Sequence, residues 1–242
     1  MIDIEHVYDL YLQLEEAINK EKHKTEKGTF RASSAGQCYK KQWYMQQGTE
    51  GTPLDPKSRR LLRLGTIVHK DLEKAMKCHS SNSSPMSKIE IKPEHKIKID
   101  ELGVTGTADL VVYDGNNNKA KVYDYKTAHS YKWKMMFGRD KIGKPSRNYE
   151  LQIGTYGLGV AKEYELDEHD IELFIVYYKK DDSLMRSISV NNIWMHNASD
   201  YWMDLKETLD EVHGASDIPR ESTNVPMESW ECKYCQFETI CK

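Results

Sequence analysis

The sequence predicts an α/β fold with a mixed central β-sheet flanked by helices, plus a small cysteine-ligated metal module. Stretches with apolar residues at helical spacing alternate with short runs rich in Val, Ile and Tyr, and turn-forming residues separate them. Three cysteines lie within the last eleven residues, and this cluster predicts the metal module.

Four stretches carry a helical pattern. Residues 3–20 place apolar side chains at a spacing compatible with a helix. A long helix is predicted from Pro56, which suits a first turn, to about Lys77. The stretch YELQIGTYGLGVAKEY predicts a helix despite its glycines, and a helix rich in Trp and Met covers 193–213.

The strand patterns lie between these helices. KIEIKPEHKIKID alternates strongly and predicts one or two amphipathic strands, interrupted at Pro93. A hairpin follows, with strands at about 103–113 and 119–126. A loop rich in Lys, Arg and Gly is predicted over 131–147. Two further strands, DIELFIVYYKK and LMRSISV, flank an Asp-Asp-Ser turn.

Composition narrows the class of protein. The 242 residues are 38% hydrophobic and 30% charged, which is typical of a soluble globular chain. No apolar run approaches the length of a membrane span, and the N-terminus lacks a secretory pattern, so we expect a cytoplasmic protein with no membrane contact. The net charge of −3 neither requires nor excludes nucleic acid, so any electropositive surface must be local.

The predicted hairpin carries two carboxylates and an amine where strands usually place apolar residues. Residues two apart share a strand face, so Asp124 and Lys126 point to one side, and Asp109 can reach that side from the neighbouring strand. Adjacent carboxylates repel unless a cation lies between them, and oxygen ligands suit Mg²⁺ or Mn²⁺. The alternative is that the aspartates solubilise an edge strand and pair with Lys126 at the surface.

Three polar residues on predicted helices are further candidates. His69 lies on the long helix, where a lone His is usually structural or faces solvent. Gln152 and Tyr156 are spaced i, i+4 and therefore share one helix face soon after the hairpin. Their polar groups suit the binding of a water, a carboxylate or a phosphate.

Four motifs, taken in order, resemble the RecB-type branch of the PD-(D/E)XK nuclease superfamily. They are G-x-x-x-H at 65–69, G-x-x-D at 106–109, D-x-K at 124–126 and Q-x-x-x-Y at 152–156. The resemblance covers roughly residues 30–242 and implies a restriction-endonuclease-like core. The implied metal ligands are His69, Asp109, Asp124 and the carbonyl of Tyr125. The implied catalytic residues are Lys126, Asp124, Asp109, Gln152 and Tyr156.

The cysteine cluster supplies three thiolates, from Cys232, Cys235 and Cys241. Four thiolates are needed to close a tetrahedral zinc site or to hold a cubane cluster. Cys78 ends the long helix beside a Ser- and Asn-rich connector, whereas Cys38 lies in an N-terminal segment that could fold back against the tail. Spacing alone leaves zinc and iron–sulfur both open.

The order of Cys38 and the three C-terminal cysteines resembles RecB-like nucleases with an iron–sulfur domain, among them the CRISPR-adaptation exonucleases and the AddB nuclease subunit. The resemblance implies a 4Fe–4S cluster that joins the two ends of the chain, with zinc as the second choice. It divides the chain into an N-terminal helical segment at 1–55, the nuclease core at 56–213 and the cluster module at 214–242. It also implies a possible protein partner from recombination or CRISPR adaptation, while the oligomeric state stays unknown.

The predicted loop at 131–147 combines cations with aromatic residues, a mixture that suits unpaired DNA. The candidate DNA contacts are Lys132, Trp133, Lys134, Arg139, Lys141, Lys144 and Arg147. The alternative is a solvated loop whose aromatic residues anchor it in the core.

Together these patterns predict a metal-dependent DNA exonuclease that processes single-stranded or frayed ends in the cytoplasm, or in the host cytoplasm if a phage encodes it. One alternative is a non-catalytic nucleic-acid-binding accessory protein that keeps the nuclease fold. Another is a nuclease directed at RNA.

Overall fold

The structure is a computed structural model that describes residues 2–22, 27–81, 88–139, 144–219 and 229–241. Its helices are α1 (Ile4–Lys22), α2 (Tyr39–Gln46), α3 (Pro56–Ser81), α4 (Ser130–Phe137), α5 (Arg147–Tyr164), α6 (Ile193–Glu211) and α7 (Ser229–Lys233). Its strands are β1 (Phe30–Arg31), β2 (Ile89–Ile99), β3 (Val104–Asp114), β4 (Lys119–Ala128), β5 (Ile171–Lys179) and β6 (Met185–Val190). In the described residues, no helix combines the length and the apolar character needed to span a bilayer.

The strands form one mixed sheet flanked by helices, which confirms the predicted α/β core. β2 and β3 pair antiparallel along their whole length. The other edge of β3 pairs first with β1, in parallel, and then with β4, antiparallel. β4 and β5 run parallel from the Ala120–Ile171 pair to the Ala128–Lys179 pair, and β6 closes the sheet antiparallel to β5.

Helix α5 packs closely against the sheet and against α6. A Cβ atom at Gly154 would lie 2.1 Å from the carbonyl oxygen of Trp194, so the absence of a side chain lets the two helices approach at the level of the backbone. Deeper in the core, the indole of Trp202 donates a 2.9 Å hydrogen bond to the hydroxyl of Thr155. Tight packing therefore offsets the low helix propensity of the glycines in this stretch.

Helix α1 lies against α3 mainly through ion pairs. Arg59 approaches Glu16 at 2.7 Å, and Arg60 approaches Glu5 at 2.8 Å. Leu12 is buried, but the other members of the predicted apolar stripe stay exposed: Val7, Leu10, Leu14 and Ile18. The spacing thus predicts the helix but not which of its faces is buried.

Two predictions about secondary structure are wrong. The predicted loop at 131–147 begins with a helix, α4, because the ring nitrogen of His129 accepts the backbone N–H of Lys132 and caps it, while Trp133 and Met136 bury one face. Pro93 does not interrupt its strand, since β2 runs on through it. The irregular residue is its neighbour Glu94, whose φ of 52° lies in the left-handed region.

Candidate active site

The site begins where the ladder between β3 and β4 ends. The last pair is Leu110–Tyr123, so continuing the register would place Asp109 opposite Asp124. Instead the carboxylate of Asp109 accepts the backbone N–H of Tyr125 at 2.5 Å. A side-chain acceptor thus replaces a backbone acceptor, and the two strands separate around the predicted catalytic residues.

On the other side of Asp109, the strands β2 and β3 stay paired. Along β2, however, the side chains switch the face of the sheet to which they point. Ile97 and His95 both face α5, yet Lys92, three residues from His95, also reaches α5 at Tyr164. The inversion falls at Glu94, which the register places opposite Asp109. The carboxylate of Glu94 therefore lies near Asp109, and burial followed by the charge of Asp109 raises its pKa.

Asp124 is buried to 1% exposure at the centre of the sheet and pairs with Lys126. The ammonium nitrogen of Lys126 lies 2.6 Å from Oδ2 of Asp124, and it donates its hydrogen bond to Oδ1 at 2.9 Å. Oδ2 accepts no hydrogen bond from any described residue. Burial raises the pKa of Asp124 to about 6, against the opposing attraction of Lys126.

His69 reaches this opening from α3. Its Nδ1 lies 3.3 Å from Oδ1 of Asp109, and its ring packs edge-on against the ring of Tyr125 with centroids 5.9 Å apart. Burial favours the neutral imidazole, but the hydrogen bond to Asp109 and the charge of that carboxylate outweigh burial, so the pKa of His69 is raised. The structure therefore brings His69 and Asp109 together as the sequence predicts.

Gln152 and Tyr156 extend the site along α5. The side-chain oxygen of Gln152 accepts from the ammonium of Lys126 at 3.0 Å, and its amide donates to the hydroxyl of Tyr156 at 2.8 Å. A Cβ atom at Gly106 would lie 3.1 Å from the ring of Tyr156, so the ring packs directly against this glycine. The glycine of the second motif thus makes room for the tyrosine of the fourth.

Tyr149 is a site residue that the motif pattern does not include. The ammonium nitrogen of Lys126 lies 4.8 Å from its ring centroid. The signal was available in the sequence, because Tyr149 precedes Gln152 by three residues and so shares its helix face. Glu94 had no comparable signal, since its place opposite Asp109 depends on strand register.

The donor set fits a hard divalent cation. Oδ2 of Asp124 is buried and accepts no hydrogen bond from the described residues, and its close contact is the ammonium of Lys126 at 2.6 Å, so this oxygen lies where positive charge is favourable. Oxygen donors from two carboxylates with one imidazole suit Mg²⁺ or Mn²⁺. The residues that would hold the ion are Asp109, Asp124 and His69.

Among the described residues, the one group of three potential metal ligands whose ligand atoms all lie within 4.8 Å of one another is Asp167, His169 and Asp170. It precedes β5, at the end of the sheet where Ala120 pairs with Ile171, and it is largely exposed. This group is separate from the residues around Asp124.

Mn²⁺ is expected to raise the melting temperature of the protein more at pH 8 than at pH 5.5. Protons compete with the cation at Asp124, whose pKa is about 6, and at His69, whose pKa is raised, so affinity should fall about tenfold per pH unit below pH 6 for each group that titrates. In the metal-free protein the raised pKa of Asp124 has the opposite effect on stability. Ionisation of Asp124 destabilises the fold as pH rises towards 6, and a bound cation removes that cost.

Thermal unfolding with and without Mn²⁺ at both pH values measures this effect. The Asp124→Asn variant, as control, should show little stabilisation by Mn²⁺ at either pH. Equal stabilisation of the unsubstituted protein at pH 5.5 and pH 8 would contradict the assignment of these ligands.

The predicted DNA contacts divide into three groups. Lys132 lies at the site, with its ammonium 3.2 Å from the hydroxyl of Tyr149. Trp133 is only 7% exposed and packs against Phe137, so it belongs to the core and is not available to stack on a base. The exposed cations are Lys134, Arg139, Lys144 and Arg147, whereas Lys141 lies outside the described residues. Tyr131, 71% exposed beside them, is the aromatic residue that solvent can reach.

The C-terminal cysteines fold back against the N-terminal segment. The backbone N–H of Thr52 donates to the carbonyl of Gln236 at 2.7 Å, and the ring of Tyr44 packs against Phe237 with centroids 5.1 Å apart. Burial raises the pKa of the Cys38 thiol, and the charges of Cys241 and Cys235 raise it further. Cys78 is exposed on α3.

Comparison with known proteins identifies the family to which this chain is similar. The sequence profile of the PD-(D/E)XK nuclease superfamily matches residues 79–242, a range that holds Asp109, Asp124 and Lys126 but begins after Cys38 and His69. No curated protein matches the chain.

Two solved structures are similar to this chain. The crystal structure of SSO0001 covers 97% of this chain and 96% of its own, with 19% identity and a TM-score of 0.56. An alkaline exonuclease from Laribacter hongkongensis covers 76% of this chain and 88% of its own, with 14% identity and a TM-score of 0.42. At these identities the first similarity is one of fold.

Proposed function

Because the chain belongs to the PD-(D/E)XK nuclease superfamily, we propose that it is a metal-dependent deoxyribonuclease that hydrolyses phosphodiester bonds at single-stranded or frayed DNA ends. The observation that carries the proposal is the convergence of Asp109, His69 and the Asp124–Lys126 pair where β3 and β4 separate. The buried Oδ2 of Asp124, 2.6 Å from the ammonium of Lys126, lies in the same place.

A divalent cation held by Asp109, Asp124 and His69 would supply Lewis-acid chemistry, polarising the scissile phosphate and easing deprotonation of a water. Lys126 would position the attacking water or a phosphate oxygen. Its ammonium is held by both carboxylate oxygens of Asp124, at 2.6 and 2.9 Å, and by the side-chain oxygen of Gln152 at 3.0 Å, and its positive charge would stabilise the attacking water or a phosphate oxygen. The amide of Gln152 is fixed in turn by Tyr156, so the position of this charge is set before DNA arrives.

The expected substrate follows from the surface beside the site. Exposed cations on α4 and at the start of α5 suit backbone phosphates, and the exposed ring of Tyr131 suits stacking on an unpaired base. Lys132 connects this surface to the site through Tyr149. Since stacking requires an accessible base face, these contacts favour single strands and frayed ends over a fully paired duplex.

We also propose that Cys38, Cys232, Cys235 and Cys241 hold a 4Fe–4S cluster, with zinc as the less favoured occupant. The support is the packing of the C-terminal segment on the N-terminal one through Thr52–Gln236 and Tyr44–Phe237, together with the backbone N–H of Phe237, which donates to the sulfur of Cys235 at 3.4 Å. Such N–H donors stabilise a sulfur that carries negative charge. None of the cysteines in the described residues forms a disulfide, and we propose that the enzyme acts in a reducing cytoplasm.

Cleavage assays on four labelled polymers test the proposal. The polymers are linear single-stranded DNA, circular single-stranded DNA, blunt duplex DNA and single-stranded RNA, each with Mg²⁺, Mn²⁺ or EDTA. We expect degradation of linear single-stranded DNA that needs the cation and spares the circle. Degradation that persists in EDTA would contradict the metal site, cutting of the circle would contradict action at ends, and binding without cleavage would indicate an accessory protein that only keeps the fold. Preference for RNA would replace DNA as the substrate.

A further inference from the structure

The ring of Tyr149 is approached by two ammonium groups from different elements. Lys126, on β4, places its nitrogen 4.8 Å from the ring centroid, and Lys132, on α4, places its nitrogen 4.4 Å from it. Lys132 also donates a 3.2 Å hydrogen bond to the hydroxyl of Tyr149. One aromatic side chain thus contacts both the proposed catalytic lysine of the D-x-K motif and a cation of α4.

The backbone holds Tyr149 firmly in this place. It lies in the first turn of α5, where its N–H donates to the carbonyl of Ser146 at 2.9 Å. It is three residues before Gln152, and both side chains contact Lys126 from the same helix face. Lys126 is therefore held by Asp124, by Gln152 and by an aromatic ring.

Two ammonium groups at one site repel each other, and the negative face of an aromatic ring attracts both. The attraction grows when water is excluded, and the side chain of Lys126 is only 15% exposed. The ring lies against this ammonium, with its centroid 4.8 Å from the nitrogen. Its removal would leave the nitrogen of Lys126 with polar partners but more than one available rotamer.

We propose that Tyr149 is a positioning residue that holds Lys126 in its productive orientation and brings Lys132 beside it for a phosphate of the bound strand. This role rests on the proposed nuclease function. Tyr149 itself transfers no proton in it. What matters is the electron-rich ring, and the hydroxyl contributes only the contact with Lys132.

The substitutions Tyr149→Phe and Tyr149→Leu separate the ring from the hydroxyl. We expect Tyr149→Leu to lower kcat on single-stranded DNA about tenfold, and Tyr149→Phe to keep kcat within about twofold, because the ring contact is preserved. The matched control is Tyr164→Leu, since Tyr164 lies on the same helix with the ammonium of Lys92 4.8 Å from its ring. The Tyr164→Leu variant should lose the contact between an aromatic ring and a lysine without a change in kcat.

A second measurement does not require a stable leucine variant. Phenylalanine derivatives with one, two and three ring fluorines at position 149 keep the shape of the ring but withdraw its electron density, so kcat should fall step by step with fluorination. An unchanged kcat in Tyr149→Leu, a Tyr149→Phe variant as impaired as Tyr149→Leu, or a flat fluorine series would each overturn the positioning role.

A spectroscopic measurement keeps this test apart from the nuclease assay. The side-chain N–H resonance of Lys126, identified by its loss in Lys126→Met, should lie upfield in the unsubstituted protein relative to Tyr149→Leu, because of the ring current of Tyr149. An identical resonance in both proteins would overturn the positioning role whether or not DNA is cleaved. A ring-current shift in a protein that cleaves no DNA would instead count against the nuclease function alone.

Discussion

The Asp124→Asn variant is expected to lose metal-dependent DNA cleavage by a factor of ~1000 or more without losing its fold. The asparagine has the same shape but no charge to offer a cation, and it releases Lys126 from its ion pair. The melting temperature in the absence of metal should change little, because the cost of leaving Lys126 without its ion pair opposes the gain from removing a buried charge. Because burial raises the pKa of Asp124 in spite of Lys126, the ionised carboxylate is unfavourable where it lies, and a neutral amide removes that cost.

The matched control is Glu172→Gln. Glu172 forms a carboxylate–lysine pair with Lys121 across β5 and β4, but both side chains are about half exposed. The same chemical change there should leave kcat and KM as they are. Kinetics on labelled single-stranded DNA and thermal unfolding of each variant check both expectations. Substantial Mn²⁺-dependent degradation by Asp124→Asn would contradict the active-site assignment.

The Cys235→Ala variant is expected to lose the cluster and to be less stable by about 2–5 kcal/mol, with a smaller effect on the rate per folded molecule. A metal group bound by Cys38 and the C-terminal cysteines closes a loop that contains the whole nuclease core, so its loss releases both ends of the chain. The proposed catalytic residues lie on β3, β4, α3 and α5 and do not include these cysteines.

Cys78→Ala is the matched control, since Cys78 is exposed on α3. It should retain bound iron, the absorbance at about 400 nm of iron–thiolate bonds, and the melting temperature. Iron analysis, absorbance and thermal unfolding of both variants check the prediction. A colourless protein with one zinc per chain would replace the cluster with zinc. An unchanged melting curve for Cys235→Ala would contradict a structural role of any kind.

Local patterns predict the elements that carry the site, because each depends on neighbours in sequence. The alternation around Asp109 and Asp124 predicts a hairpin, and the structure has one at β3 and β4. Pro56 predicts the start of α3, and the helix begins there. Motif order then predicts which polar residues converge, and Lys126 does contact both Asp124 and Gln152.

The errors arise where a distant contact decides the local structure. Glycine and lysine in the 131–147 stretch favour a loop, but the buried side chains of Trp133 and Met136 stabilise a helix there. Glu94 opposes Asp109 only through a strand register that no short pattern encodes. The separation of β3 and β4 is of the same kind, because it depends on a side chain that takes the place of a backbone acceptor.

The docking of the C-terminal segment on residues 38–52 has a consequence for biosynthesis. The hydroxyl of Tyr44 donates to the carbonyl of Ile240, a partner that follows it by 196 positions. At about 5–20 residues per second, a ribosome needs roughly 10–40 s to make the intervening chain. Over that interval the aromatic surface of α2 is exposed on the nascent polypeptide. We therefore expect this surface to be available to a chaperone during synthesis.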